Sequence, residues 1–345
     1  MIIFPKSVKR ILVTGGSGFI GRVLLRRLLE KTNLKIFNLD KCGYASDLDI
    51  LNYNYDSNRL EILKVDLANS ADTNKAINFS NPDIIFHLAA ESHVDRSILG
   101  PRIFLESNII GTFNLLEASV LHWKALSSAR KKNFKFLHVS TDEVFGSLGP
   151  KGVFTENTSY DPRSPYSATK AGSDHLVKAW NKTYGIPTLT TNCSNNFGPG
   201  QFPEKFIPVV IINAINNNKI PIYGDGQNIR DWIYVEDHID ALLKVVLRGR
   251  IGESYCIGGG IEKTNEEIVE LICDLLDHQN SINAPHKRFK SYIKDRPGHD
   301  RRYAIDYKKI SEELEWEPQN DFRNAMKHTV KWYLENLEWC AKIIK

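Results

Sequence analysis

The sequence is poor in residues that staple or anchor a chain. Of 345 residues only five are cysteine (Cys42, Cys193, Cys256, Cys273 and Cys340), an odd number without any C-x-x-C pair. That pattern suggests neither a disulfide framework nor a zinc site, and a reducing cytoplasm is the expected compartment. The ten histidines show no metal spacing and H-E-x-x-H is absent, so no metal is expected. No apolar run approaches a membrane span, and the opening MIIFPKSVKRILVTGG is too interrupted for a signal peptide, so neither membrane nor leader is expected. Charge of one sign is scarce as well. A balance of 45 basic against 41 acidic residues leaves +4, and the basic clusters KSVKR and ARKKN carry no interleaved aromatics. No nucleic-acid partner is expected from such a surface.

What is abundant is alternation. Apolar runs at 10–14, 35–40, 60–66, 83–90, 135–141 and 187–194 are separated by helix-like segments at 19–31, 71–80, 101–126 and 166–184. Continuous apolar strands alternating with helices read as a parallel sheet covered on both faces. After about residue 195 Gly and Pro become dense and the strands short. Thr264 with Glu267 three residues on predicts a capping box, and a last helix is expected over 321–343. INAINNNK (212–219) reads as a helix end and loop.

The first strand ends in TGGSGFIG. Gly15, Gly18 and Gly21 suit a dinucleotide turn, in which bare backbone lets a pyrophosphate approach the free N–H groups of a helix start. A structural glycine turn is the alternative. Asp40, 19 residues after Gly21 at the end of the second strand, can accept from a ribose 2′-OH and would repel a 2′-phosphate. NAD is preferred over NADP on that ground, although Lys41 next door is a cation that tolerates phosphate.

KFLHVSTDEVFG (135–146) ends a strand in Thr141, Asp142 and Glu143, residues that also suit an ordinary turn. In SPYSATKAGSDHL, Tyr166 and Lys170 lie four apart and share a helix face. A nearby ammonium favours the phenolate of a tyrosine whose ordinary value is about 10, and a phenolate can deprotonate a sugar hydroxyl. A surface Tyr/Lys pair is the bland reading.

TGGSGFIG together with Y-x-x-x-K resembles the extended short-chain dehydrogenase/reductase family. LAAESHVDRSI (88–98), STDEVFG (140–146), NCSNNFGPGQFPEKFIP (192–208), PIYGDGQNIRDWIYVEDH (221–238) and DRPGHDRRYAID (295–306) resemble its branch of nucleotide-sugar 4,6-dehydratases. Phe145 and Phe197 stand where that pattern has tyrosine, and DKCGYASDL (40–48) departs from it.

The resemblance implies an α/β chain: a Rossmann-like doubly wound parallel sheet with a smaller mixed α/β substrate-binding domain. Residues 1–195 would bind NAD, with a return segment at about 231–258, and 196–230 with 259–345 would bind the nucleotide sugar. It implies a redox-neutral dehydration of dTDP-glucose, with UDP-glucose, epimerase and decarboxylase readings as alternatives and a non-catalytic NAD sensor more distant. Tyr166 would be the base, assisted by Lys170 and Thr141, with Glu143 the base at C5 and Asp142 the acid at C6. Phe19, Ile20, Asp40, Lys41, Asp66, Leu67, Leu88, Ala89, Ala90, Ser107 and Asn196 would join the glycines, Tyr166 and Lys170 on NAD. Ser92, Thr141, Asn195, Lys205, Phe206, Pro221, Ile222, Tyr223, Arg230, Asn265, Asp295, Arg296, Pro297, Gly298 and His299 would touch the nucleotide sugar. For Arg230 the alternative is a salt bridge to Asp231 or Asp225, and for Tyr223 packing beside Pro221. His93 and His138 read as satisfied interior or supporting histidines. A homodimer is expected through the helices at 101–126 and 166–184, where Ile109, Phe113, Leu116 and Val120 exceed what the sheet can bury.

Overall fold

The apolar runs become strands because each is covered from both sides. In the computed structural model, described over residues 2–47, 56–279 and 283–344, β1 (Arg10–Thr14) leads through the glycine turn into α1 (Phe19–Lys31) and β2 (Lys35–Asp40). β3 (Leu60–Lys64), α2 (Ser70–Ser80) and β4 (Ile84–His87) follow. The chain then runs through α3 (Val94–Leu99), α4 (Pro101–Phe104), a π-helical turn (Leu105–Ile110) and α5 (Gly111–Ala125). After α6 (Ser128–Asn133) come β5 (Lys135–Thr141), α7 (Pro165–Tyr184) and β6 (Thr188–Cys193). Of the loop 40–48, Leu48 lies outside the described residues.

Among the described residues a seven-stranded sheet runs β3, β2, β1, β4, β5, β6 and then a strand at Ser254–Ile257, with every pairing parallel. The expected doubly wound sheet is therefore present. One face carries a core of Leu24, Leu28, Ile239 and Leu242, the other a core of Leu115, Phe136 and Val177. Strand order reverses between β1 and β4, and at such a reversal the carboxyl ends of the strands leave a crevice.

The rest of the chain comprises β7 (Asn195–Phe197), α8 (Phe206–Ile215), β8 (Ile220–Tyr223), β9 (Ile229–Tyr234), α9 (Val235–Arg248), β10 (Ser254–Ile257), β11 (Glu262–Thr264) and α10 (Asn265–Gln279). β12 (Lys290–Ile293), α11 (Lys308–Leu314), α12 (Phe322–Glu335) and α13 (Leu337–Ile344) complete it. Sheets β11-β9-β7 and β12-β8 are covered by α8, α10 and α12 around Ile211, Ile272 and Met326. The capping box forms: the Thr264 hydroxyl accepts from Glu267 N (3.1 Å), and Glu267 accepts from Thr264 N (2.8 Å). β9 pairs within the small sheet, whereas α9 and β10 return to the large one. Ile310, Leu314 and Trp316 also join the core on the α1/α9 face.

Two expectations fail. The helix expected over 321–343 is two helices. Asn336 breaks it, its side chain donating back to the Trp332 carbonyl at 2.8 Å, the local bonding by which Asn competes with a helix. The break swings Trp339 edge-on to Trp332, where its indole N–H donates to Asp47. The helix at 101–126 does run from α4 through the π turn to α5, but Leu116 and Val120 face inward and are buried. Its exposed apolar residues are Ile103, Leu105, Ile110, Phe113 and Leu121.

Candidate active site

The crevice holds a cavity of about 320 Å³. Its cofactor wall is built by what the backbone leaves out. A Cβ on Gly15, where φ is +71°, would lie 2.6 Å from Ala89 N, and one on Gly21 would lie 2.2 Å from Gly15 O. Packing alone demands those two glycines. Gly18 differs, since its Cβ would meet only Gly15 O at 3.4 Å. It caps α1 without a side-chain hydrogen bond and lines the cavity, so the free N–H groups face the space an anion would fill. Asp40 is buried on the same wall, its carboxylate accepting from Ser17 N (3.0 Å), Cys42 N (2.8 Å) and the Ser46 hydroxyl (3.1 Å). Lys41 pairs with Glu91. A bare helix start ahead of a carboxylate fits a dinucleotide with a free 2′-hydroxyl. Phe19, Ile20, Asp66, Leu67, Leu88, Ala89, Ala90, Ser107 and Asn196 line the same cavity.

The reacting wall comes from β5 and α7. Strand β5 is buried to its last residue, and Thr141 there accepts from Glu143 N at 3.3 Å and contacts Asp142 at 3.3 Å. Ser164 caps α7 through a box with Ser167, and Pro165 opens the helix. That start aims Tyr166 and Lys170 at the cavity, where both are buried with Thr141, Asp142 and Glu143 on its wall. Lys170 Nζ donates to the Val139 carbonyl at 2.9 Å.

Burial, then the charges of Glu143 and Asp231, push Asp142 well above the usual carboxylate range, and its Oδ2 is buried without a hydrogen-bond partner among the described residues. Burial also raises Glu143, but Arg296, Arg230 and Lys205 oppose the rise. The two neighbouring acids are thus biased in different ways, one toward the neutral form and one toward a cationic surround. Tyr166 stands on the same wall. Burial, then Glu143 and Cys193, push it well above its ordinary value against a hydrogen bond with Thr141, so the chain alone holds it as the phenol.

The proposed sugar contacts divide. Ser92, Asn195 and Lys205 line the cavity, with Lys205 Nζ donating to Ser92 O at 2.7 Å. Phe206, Pro221, Ile222, Tyr223, Arg230, Asn265 and 295–299 lie beyond its lining. The Ile222 side chain is fully buried in the second core, which leaves its backbone for any contact with a ligand. Phe206 stacks on Trp232, Asn265 is buried at the start of α10, and Pro297 is exposed. The Tyr223 hydroxyl donates to Asp95 at 3.2 Å rather than merely packing by Pro221, and Arg296 pairs with the same acid at 3.5 Å. His299 pairs with Asp295 at 2.6 Å, and Gly298 has φ +66°. Arg230 takes neither alternative partner. It lies 4.3 Å over the Tyr303 ring and donates to the carbonyls of Ile229 and Asp300, while Asp225 pairs with Arg301 and Asp231 accepts backbone N–H groups.

Other lining residues had no signal in the sequence. The Tyr44 hydroxyl donates to Glu204 at 2.8 Å, its ring lies 3.6 Å from the Arg96 guanidinium, and Phe202 meets it edge-on. Beneath the lining, His238 Nδ1 donates to the Asn196 side-chain oxygen at 2.8 Å, and burial takes the imidazole down to about 3. His93 caps α3 by accepting from Arg96 N, whereas His138 is fully buried on Asp174.

A dinucleotide crevice whose far wall carries a phenol, an ammonium and two adjacent acids defines a class: NAD-dependent enzymes that move protons on a bound substrate. The family model of GDP-mannose 4,6 dehydratase matches residues 12–329, and the chain belongs to that family. It is 51% identical to a dTDP-glucose 4,6-dehydratase of Salmonella typhimurium (97% of this chain, 95% of the relative) and 47% identical to one of Neisseria meningitidis (98% and 96%). The structure of the dTDP-glucose 4,6-dehydratase DesIV from Streptomyces venezuelae, solved with NAD bound, superposes with a TM-score of 0.88 at 38% identity over 97% of this chain and 99% of that one. A UDP-glucose 4-epimerase of Thermotoga maritima superposes at 0.83 with 25% identity over 95% and 99%.

Proposed function

We infer that the protein is an NAD-dependent hydro-lyase that converts dTDP-glucose to dTDP-4-keto-6-deoxyglucose without net oxidation. The observation that carries the reading is the pair Asp142 and Glu143, the first buried and the second half-buried, side by side next to Tyr166 yet differently faced by charge. Relatives at 47–51% identity bear the same activity in their names. When bound, NAD would supply the hydride acceptor for C4, the hydride donor for C6 and a positive ring. Tyr166 receives the C4 hydroxyl proton, oriented by Thr141, with Lys170 supplying the cation that favours the phenolate. The resulting ketone acidifies C5, and Glu143 removes that proton. Asp142, held neutral by burial, protonates the departing C6 hydroxyl. An epimerase has no use for this last acid.

Arg230 and Arg296 serve the diphosphate, where a planar fork makes paired charge-assisted bonds. Residues 1–195 with the return at α9–β10 hold NAD, and the remainder holds the nucleotide sugar. The exposed stripe Ile103, Leu105, Ile110, Phe113 and Leu121 pairs with a second copy to make a homodimer, which works in the cytoplasm. No helix among the described residues is long and apolar enough to cross a membrane. Sedimentation is expected to give a dimer at micromolar protein, and a stable monomer would overturn that assignment.

The test incubates purified protein with dTDP-glucose and, separately, UDP-glucose. The 4-keto product is expected without accumulation of reduced cofactor, faster from dTDP-glucose by the factor one methyl confers, about 1–3 kcal/mol. No turnover of either would overturn the reading.

A further inference from the structure

Tyr166, Lys170 and Asp174 stand on successive turns of one face of α7. Asp174 has no part in the steps above. It is 4% exposed and accepts from four side chains: His138 Nε2 (3.0 Å), Ser140 (2.8 Å), Tyr160 (2.8 Å) and Asn192 (3.2 Å). These donors come from β5, the loop before α7, and β6. Asn192 also donates to the Thr141 carbonyl at 3.2 Å. His138 and Ser140 flank Val139, whose carbonyl receives Lys170.

Four donors on one carboxylate favour its ionised form, and a buried charge calls for an opposite one. Burial acts to raise Asp174, but the bonds from His138 and Ser140 and the charge of Lys170 outweigh it and keep it below the usual range. Lys170 is correspondingly lowered by burial and supported by Asp174. The other groups around the pair are His87 from β4, His138 from β5, Asp142 and Glu143 after β5, Tyr160 before α7, Cys193 from β6 and Tyr166. Burial holds His87 and His138 neutral, and likewise Tyr160, Tyr166, Cys193 and Asp142. Glu143 answers instead to Arg296, Arg230 and Lys205.

We propose that Asp174 is a positioning residue: the buried counter-ion that keeps Lys170 an ammonium where Tyr166 works. The proposal rests on the role given to Lys170 above. In protein labelled with carbon-13 at the lysine ε position, the Lys170 signal is assigned by its loss in Lys170→Met. In Asp174→Asn, Lys170 is expected to lose its proton at least about one pH unit lower than in the wild type, which is tenfold in the equilibrium. The alkaline limb of kcat is expected to move with it, and Asp174→Glu to move it back. An unchanged Lys170 titration in folded Asp174→Asn overturns the proposal. If that variant does not fold, the double variant Lys170→Met/Asp174→Asn decides, because it removes both charges of the pair. Its turnover is expected within about twofold of Lys170→Met alone, as for residues acting through one another. A further tenfold loss overturns the proposal. Failure of wild-type turnover would refute the proposed reaction, whereas the titration still decides Asp174.

Discussion

The two ends of the crevice are made of different material. At the cofactor end the chain withholds side chains: Gly15, Gly18 and Gly21 present backbone, and one buried carboxylate, Asp40, discriminates. At the sugar end it concentrates charge: Asp142 and Glu143, Lys205, Arg230 and Arg296 converge from four separate segments. Binding a molecule common to many enzymes needs only shape and free N–H groups. Eliminating water from a sugar needs acids, bases and cations whose states depend on one another.

Breaking the charged end is expected to have the largest effect. Glu143→Gln should lower kcat by about 10²–10⁴, the range of a lost general base, while C4 oxidation continues. Reduced cofactor then builds up on the enzyme, visible in its near-ultraviolet absorbance, and wild-type dehydration would refute the role. Arg230→Lys keeps the charge but loses the fork and the stacking on Tyr303. KM for the nucleotide sugar should rise roughly 10- to 100-fold with kcat little altered, which steady-state kinetics checks.

At the bare end the two substitutions separate packing from binding. Gly18→Ala has room within the protein and should leave the thermal midpoint in place while weakening NAD by about tenfold, measured by calorimetry. Gly15→Ala, at φ +71° and 2.6 Å from backbone, should cost stability, about 1–3 kcal/mol for the backbone conformation alone. A last substitution tests the joint between the ends. His238, buried beneath Asn196, sits at about 3 in the fold against an ordinary 6.5. The unfolded chain therefore binds its proton first as pH falls. Stability is full above about 6.5 and declines toward about 3, by up to roughly 1.4 kcal/mol per unit from this group. His238→Gln should flatten that slope in denaturant titrations.

The same contrast governs what could be read from the sequence. The β1 turn, Asp40, the Thr141 triplet and the Tyr166–Lys170 pair are local, with spacings that carry their own geometry. The Tyr44–Glu204 contact joins residues 160 apart, and no local pattern announces it. The Ile222 side chain follows the alternation of β8, which buries Ile220 and Ile222 and turns Pro221 and Tyr223 outward. Period-two reasoning sends it to the core. Leu116 and Val120 were misjudged because a helix apolar on several faces does not declare which one the sheet takes.

The bond from Trp339 to Asp47 spans 292 positions and braces the loop that follows Asp40. During synthesis that loop must wait for nearly the whole chain. At ribosomal speeds the delay is on the order of tens of seconds, so a dinucleotide site whose motif is finished by residue 40 gains its last support only as the final helix emerges. Shortening the C-terminus would therefore be felt at the opposite end of the gene.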